Sequence, residues 1–190
     1  MTLGKQAKVL SDNQQKAVMA FIGANRLAHR NTVMFLLSVD AGLRAKEVAS
    51  LEWSMITNAD GSLADVIRLQ DRAAKGSSGG IVYMSKRLID AINIYAPSQW
   101  KSGTIIKSQN GKAMSPQVVT NWFFNLYHKL GFDGCSSHSG RRTAITRWAR
   151  KISSVGGSLR DVQALARHSS LQMTQRYIEV SEDACRLVVG

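Results

Sequence analysis

The sequence predicts a mainly helical α+β domain in which a small antiparallel hairpin sheet separates two runs of helices. Three observations carry this. Apolar residues recur at helical spacing in the first fifty residues and again from residue 116 onward. Two short β-prone runs, in ADVIRLQ and GGIVYMS, flank the polar, glycine-bearing turn DRAAKGSSGG. Hydrophobic residues make up 44% of the 190, enough for a packed core of ordinary domain size.

Residues 1–10 read as a short basic tail. Ser11 and Gln14 form a capping box, and Val18, Phe21 and Ile22 lie on one face of a helix expected from about Asp12 to Leu27. Asn31 or Thr32 is the expected cap of a second helix. Its run Val33–Val39 is apolar all round and therefore buried. Asp40-Ala41-Gly42 breaks it. A third helix is expected over Leu43–Leu51, with Arg44 in its first turn. The positive end of the helix disfavours a cation there. Arg44 is thus either paired with Glu47 one turn on, or aimed at an anion in a cleft.

From Trp53 the period changes. Trp53–Ile56 is a candidate third strand beside the hairpin, and Lys75 falls at the hairpin tip. A loop lysine is ordinarily solvated, but flexible glycine neighbours would let it reach a ligand. Ser85 is the expected cap of a helix over Lys86–Tyr95, which Pro97 ends. Thr104–Ile106 is a brief strand-like segment and Asn110-Gly111 a turn. Ser115 and Pro116 open a helix with Val118, Val119, Trp122, Phe123, Leu126 and Leu130 at helical spacing, and Gly131 stops it.

His138 and Arg141 share a face of the next helix, which Ile145 and Trp148 continue into the core. A loop over Lys151–Gly157 leads to Ser158 and Asp161, a second helix-start pair. Leu159, Val162 and Leu165–Ala166 form the buried stripe of that helix, and His168 sits at its C-terminal end. Ser170 is the expected cap of a last helix, with Met173, Tyr177 and Val180 on one apolar stripe.

Net charge is +12, which points to a polyanion, with nucleic acid ahead of an acidic membrane surface; a merely basic protein is the alternative. No apolar run reaches the about 18 residues of a membrane span, and the N-terminus lacks a signal-peptide core. Two cysteines form no disulfide framework, so a reducing, cytosolic setting is expected. Cys135 and His138 have half of a metal-site spacing, but no second pair follows, so no metal site is expected. The stretch His138–Tyr177 holds eight basic residues against one acid, Asp161, with two histidines and a tyrosine. Arginine, histidine and a hydroxyl nucleophile suit chemistry on a phosphodiester.

Singly, His138, His168 and Tyr177 each have a structural explanation: a helix start, a helix end and a core tyrosine. Their order and context point further. AGLRAKEVASLEW resembles the first-arginine box of the tyrosine recombinases, the phage integrase family. The lysine of AAKGSSGGIVYMS resembles that family's hairpin lysine. HSGRRTAITRWA resembles its H-x-x-R box, and LARHSSLQMTQRYIE the segment with its second histidine and its tyrosine. The resemblance covers roughly Ser11 to Val180. It departs at Gly140, where the family usually has leucine, and at Ala166-Arg167, where it usually has Leu-Gly. A glycine weakens the first turn of a helix by roughly 1 kcal/mol relative to alanine. Typical members also carry an N-terminal helical domain that clamps DNA. Residues 11–180 read as the catalytic domain alone, with 181–190 as a tail and the clamp domain absent.

The resemblance implies the DNA breaking-rejoining fold and a site-specific recombinase or integrase. Catalysis would rest on Arg44, Lys75, His138, Arg141, His168 and Tyr177, through a 3′-phosphotyrosyl intermediate, with no metal, ATP or other cofactor. Arg142, Arg147, Arg150, Lys151, Arg160 and Arg167 would be backbone contacts to double-stranded DNA, or solvated charges. It implies a homo-tetramer on DNA, no membrane, and a bacterial, phage or plasmid protein acting at the nucleoid. A DNA-binding regulator without strand exchange and a type IB topoisomerase-like enzyme remain the alternatives.

Overall fold

A computed structural model of the chain describes residues 6–74, 79–96, 102–178, 186 and 189. The chain divides into two units, Met1–Ala144 and Ile145–Gly190.

In the first unit, α1 (Asp12–Gly23) starts on the Ser11–Gln14 capping box and buries Val18 and Ile22. It stops four residues earlier than expected, because Leu27 already serves as the N-cap of α2 (Ala28–Val39). Neither Asn31 nor Thr32 caps that helix. Asn31 lies within it, its amide oxygen accepting from Arg30. Every residue from Val33 to Val39 is buried, as an all-apolar run requires. Gly42, at φ 65°, turns the chain into α3 (Ala45–Ser50). Arg44 is therefore the N-cap of α3 and not part of its first turn.

Trp53–Met55 is a tight helical turn, not the third strand that β-propensity suggests. Its Trp53 carbonyl accepts from Thr57 Oγ1, and the buried Trp53 ring stacks on Tyr95. Packing overrides strand preference here. The sheet has two strands, β1 (Val66–Leu69) and β2 (Gly80–Tyr83), antiparallel, with Ile67 opposite Val82 facing the core. Ser85 caps α4 (Lys86–Tyr95) and Ser115 caps α5 (Pro116–Lys129), as the sequence predicts. Thr104 forms an isolated bridge with Glu52. The core gathers α2 with apolar residues of α1, α3, α4, α5 and the sheet.

α6 (Ser139–Lys151) begins in the first unit and ends in the second. The second unit continues with α7 (Leu159–Ala166) and α8 (Leu171–Gln175). Its small core is Ile145, Val162 and Ala166, with Trp148, Ala149, Ile152, Leu159 and Tyr177 against them. α8 departs from its expected stripe. Met173 is 38% exposed, Thr174 is the buried residue, and Tyr177 lies just past the helix end. Val180 and Pro97 lie outside the described residues.

Candidate active site

Arg44 is held at the start of α3 by Glu47, a carboxylate with no solvent exposure. One Glu47 oxygen accepts from the Arg44 N–H and the other from Arg44 Nη1, each at 2.8 Å. The expected ion pair is present. The Arg44 side chain as a whole keeps 20% exposure, so it is paired without being fully enclosed. A planar fork pinned on one edge retains donors on the others.

Arg141 is nearly buried, at 4% exposure, and its Nη1 donates to the Gly42 carbonyl at 2.5 Å. Gly42 lies two residues before Arg44. A link across 99 positions thus joins the start of α6 to the turn that carries Arg44. His138 stands at the leading edge of α6, exposed, its carbonyl accepting from the Arg142 N–H at 2.9 Å. It shares that helix start with Arg141, three residues on.

In the second unit, His168 follows a left-handed residue. Arg167, at φ 51° and ψ 46°, is the non-glycine residue with positive φ among those described. The tight helix end is kept without the glycine that usually makes it, at a strain of roughly 1 kcal/mol. The His168 main chain is fixed at both ends. Its N–H donates to Gln163 O, and its carbonyl accepts from Gln163 Nε2, each at 3.1 Å. His168 is 6% exposed, and its imidazole stacks on the Tyr177 ring, centroids 5.4 Å apart at 24°.

Thr174 joins these two residues. Its Oγ1 lies 2.9 Å from His168 Nδ1, and its carbonyl accepts from the Tyr177 N–H at 3.0 Å. The Tyr177 carbonyl in turn accepts from Thr146 Oγ1 at 3.3 Å. Tyr177 is half-buried, so ring packing and access coexist. Thr174 carries no signal in the sequence. A threonine six residues after a histidine carries no periodic signal, and the residue shows itself only by being buried and polar.

Lys75 lies outside the described residues. Among the other basic residues, Arg147, Arg150, Lys151 and Arg160 are exposed, as backbone-contacting or solvated charges would be. Arg142 is half-buried and hydrogen-bonded to Gln6 Oε1. Arg167 is half-buried, with its Nε and Nη1 shielded from solvent. Among the described residues, no cluster of three or more His, Cys, Asp or Glu could hold a metal ion.

The profile of the phage integrase family matches residues 8–183. Over 154 residues the chain is 27% identical to tyrosine recombinase XerC of Rickettsia rickettsii (strain Sheila Smith), covering 80% of this chain and 48% of the relative. The XerC of Rickettsia prowazekii (strain Madrid E) is 25% identical over the same length. The chain spans about half the length of the curated relatives it matches. Among solved structures, the Tn1549 transposon integrase in complex with a circular intermediate DNA superposes with TM-score 0.75 at 17% identity, over 98% of this chain and 66% of that one. The XerA recombinase superposes with TM-score 0.73 at 18% identity, over 99% and 64%. XerH bound to its difH substrate gives 0.71 at 17%, over 100% and 55%. These likenesses are of fold.

Proposed function

Since the chain belongs to the phage integrase family, we propose that it is the catalytic part of a site-specific DNA recombinase, one that cleaves and rejoins double-stranded DNA through Tyr177. The observation that carries this reading is the Thr174-linked pair in which His168 stacks on Tyr177. A tyrosine packed against an oriented imidazole is placed as an activated nucleophile needs to be.

Tyr177 Oη attacks the scissile phosphorus, forms a 3′-phosphotyrosyl bond and expels a 5′-hydroxyl. The covalent bond conserves the energy for rejoining, so no ATP is consumed. Charge builds on the non-bridging oxygens in the transition state, where Arg44 and Arg141 hold it. Guanidinium groups stay charged at any working pH and match phosphate geometry. His138 and His168 hydrogen-bond the same phosphate, and His138 takes the tyrosine proton. Lys75 gives a proton to the leaving 5′-oxygen. Arg147, Arg150, Lys151 and Arg160 hold the DNA backbone without reading sequence.

The partner is double-stranded DNA, which the net charge of +12 favours and which accords with the Tn1549 transposon integrase having been solved in complex with a circular intermediate DNA. The working form is a tetramer on paired sites. Among the described residues no helix is long and apolar enough to cross a membrane. The test is the SDS-stable protein–DNA adduct on a nicked substrate and its loss in Tyr177→Phe. Two outcomes would favour the other readings. DNA binding without an adduct would favour a regulator, and relaxation of plasmid lacking any specific site would favour a topoisomerase-like enzyme.

A further inference from the structure

Gly140 and Ser38 meet where α6 starts and α2 ends. Ser38 is 1% exposed. A Cβ built on Gly140 would lie 2.9 Å from Ser38 Cβ and 3.1 Å from the Ser38 carbonyl carbon, and closer still to Ser38 Oγ. Two of these neighbours form a short side chain and the third is helix backbone, so no flexible tail can swing away. Gly140 carries only a hydrogen in that direction, so the approach is free of a clash. The Ser38 hydroxyl is buried and has no conventional hydrogen-bond partner among the described residues.

The same end of α2 is gripped at two further points. Arg141, the residue after Gly140, donates to the Gly42 carbonyl. Asp40 is held from α4 by two bonds of 2.5 Å from Arg87 and one of 2.7 Å from Ser85 Oγ. Arg44 follows at the end of this segment. A leucine at position 140, the residue the family usually has there, does not fit this approach.

We propose that Ser38 and Gly140 are a matched positioning pair for Arg141. Glycine lets the start of α6 approach the end of α2 closely enough for the guanidinium to reach Gly42 O, which fixes Arg141 relative to the turn carrying Arg44. The proposal rests on Arg44 and Arg141 being the phosphate-holding arginines. It makes Gly140 a fitted residue and not a weakened copy of the family pattern.

The experiment is single-turnover cleavage of a nicked DNA substrate at saturating protein, where rate reads chemistry and amplitude reads the folded fraction. Gly140→Ala is expected to lower the rate roughly ten- to hundredfold at near-unchanged DNA affinity, since a displacement on the order of 1 Å can cost about a hundredfold. Ser38→Gly removes the opposing Cβ and hydroxyl. The double variant Ser38→Gly/Gly140→Ala is therefore expected to return to within about threefold of Ser38→Gly alone. If Gly140→Ala is insoluble, recovery of both folding and rate in the double variant supports the pair. Wild-type rate in Gly140→Ala, or a folded double variant as slow as Arg141→Ala, overturns it. Absence of any adduct from wild-type protein instead removes the underlying reading, and shows before any variant is made.

Discussion

The imidazole of His168 lies stacked on the phenol ring of Tyr177, and one residue, Thr174, fixes both. Its hydroxyl meets His168 Nδ1 and its carbonyl receives the Tyr177 N–H. Two groups proposed to act on one phosphate are thus positioned by a short local network, not by separate loops.

Thr174→Val tests that network. The substitution keeps shape but removes the Thr174 hydroxyl from His168 Nδ1, a buried hydrogen bond whose loss costs about 1–3 kcal/mol. Urea unfolding should show that loss, and single-turnover cleavage should slow by roughly tenfold. Thr174→Ser, which keeps the hydroxyl, should restore most of the rate.

Arg167 makes a second prediction. It occupies a left-handed conformation that glycine adopts freely and β-branched residues resist. Arg167→Val should be less stable than Arg167→Gly by about 1–2 kcal/mol, read as a shift in denaturation midpoint at constant slope. Equal midpoints would contradict the conformation described.

Asp161 gives a pH dependence. The Ser158 N–H and hydroxyl hold its carboxyl below the ordinary carboxylate value. Its folded pKa is therefore lower than its unfolded pKa. The stabilisation is complete above the ordinary value of about 3.9 and is lost as pH falls through the depressed folded value. Midpoints of wild type and Asp161→Asn should differ at neutral pH and converge under acid.

The exposed cations Arg147, Arg150, Lys151 and Arg160 predict strong salt dependence. If about six phosphates are neutralised in all, DNA affinity should fall roughly a thousandfold between about 50 and 200 mM salt. Replacing one of these residues by alanine should reduce the slope of log affinity against log salt by about one. Fluorescence anisotropy across a salt series measures both.

The serine-capped helix starts were legible because their chemistry is local, whereas α2, which starts on Leu27 without a side-chain cap, was not. Ser11, Ser85, Ser115 and Ser158 each bond within three residues, so sequence spacing alone reveals them. The hairpin was legible for the same reason. Less visible was anything decided by distant packing. Trp53 looked strand-like until its ring met Tyr95. Met173 looked inward, but Thr174 takes that place. The proposed site residues came from motif resemblance; the contacts that orient them did not. Arg141 to Gly42 and Gly140 against Ser38 both join residues about a hundred positions apart. Of the two departures from the family pattern, Gly140 lies against Ser38, where a Cβ would clash, and Arg167 keeps the left-handed helix end that glycine usually makes.

Covalent joining of Tyr177 to DNA is the step on which the proposed function turns. The direct measurement is denaturing electrophoresis of the protein after incubation with a nicked, labelled substrate at low salt. Wild-type chain should give a shifted, SDS-stable band that protease removes, and Tyr177→Phe should give none. The same adduct in Tyr177→Phe would show that another residue is the nucleophile and contradict the account.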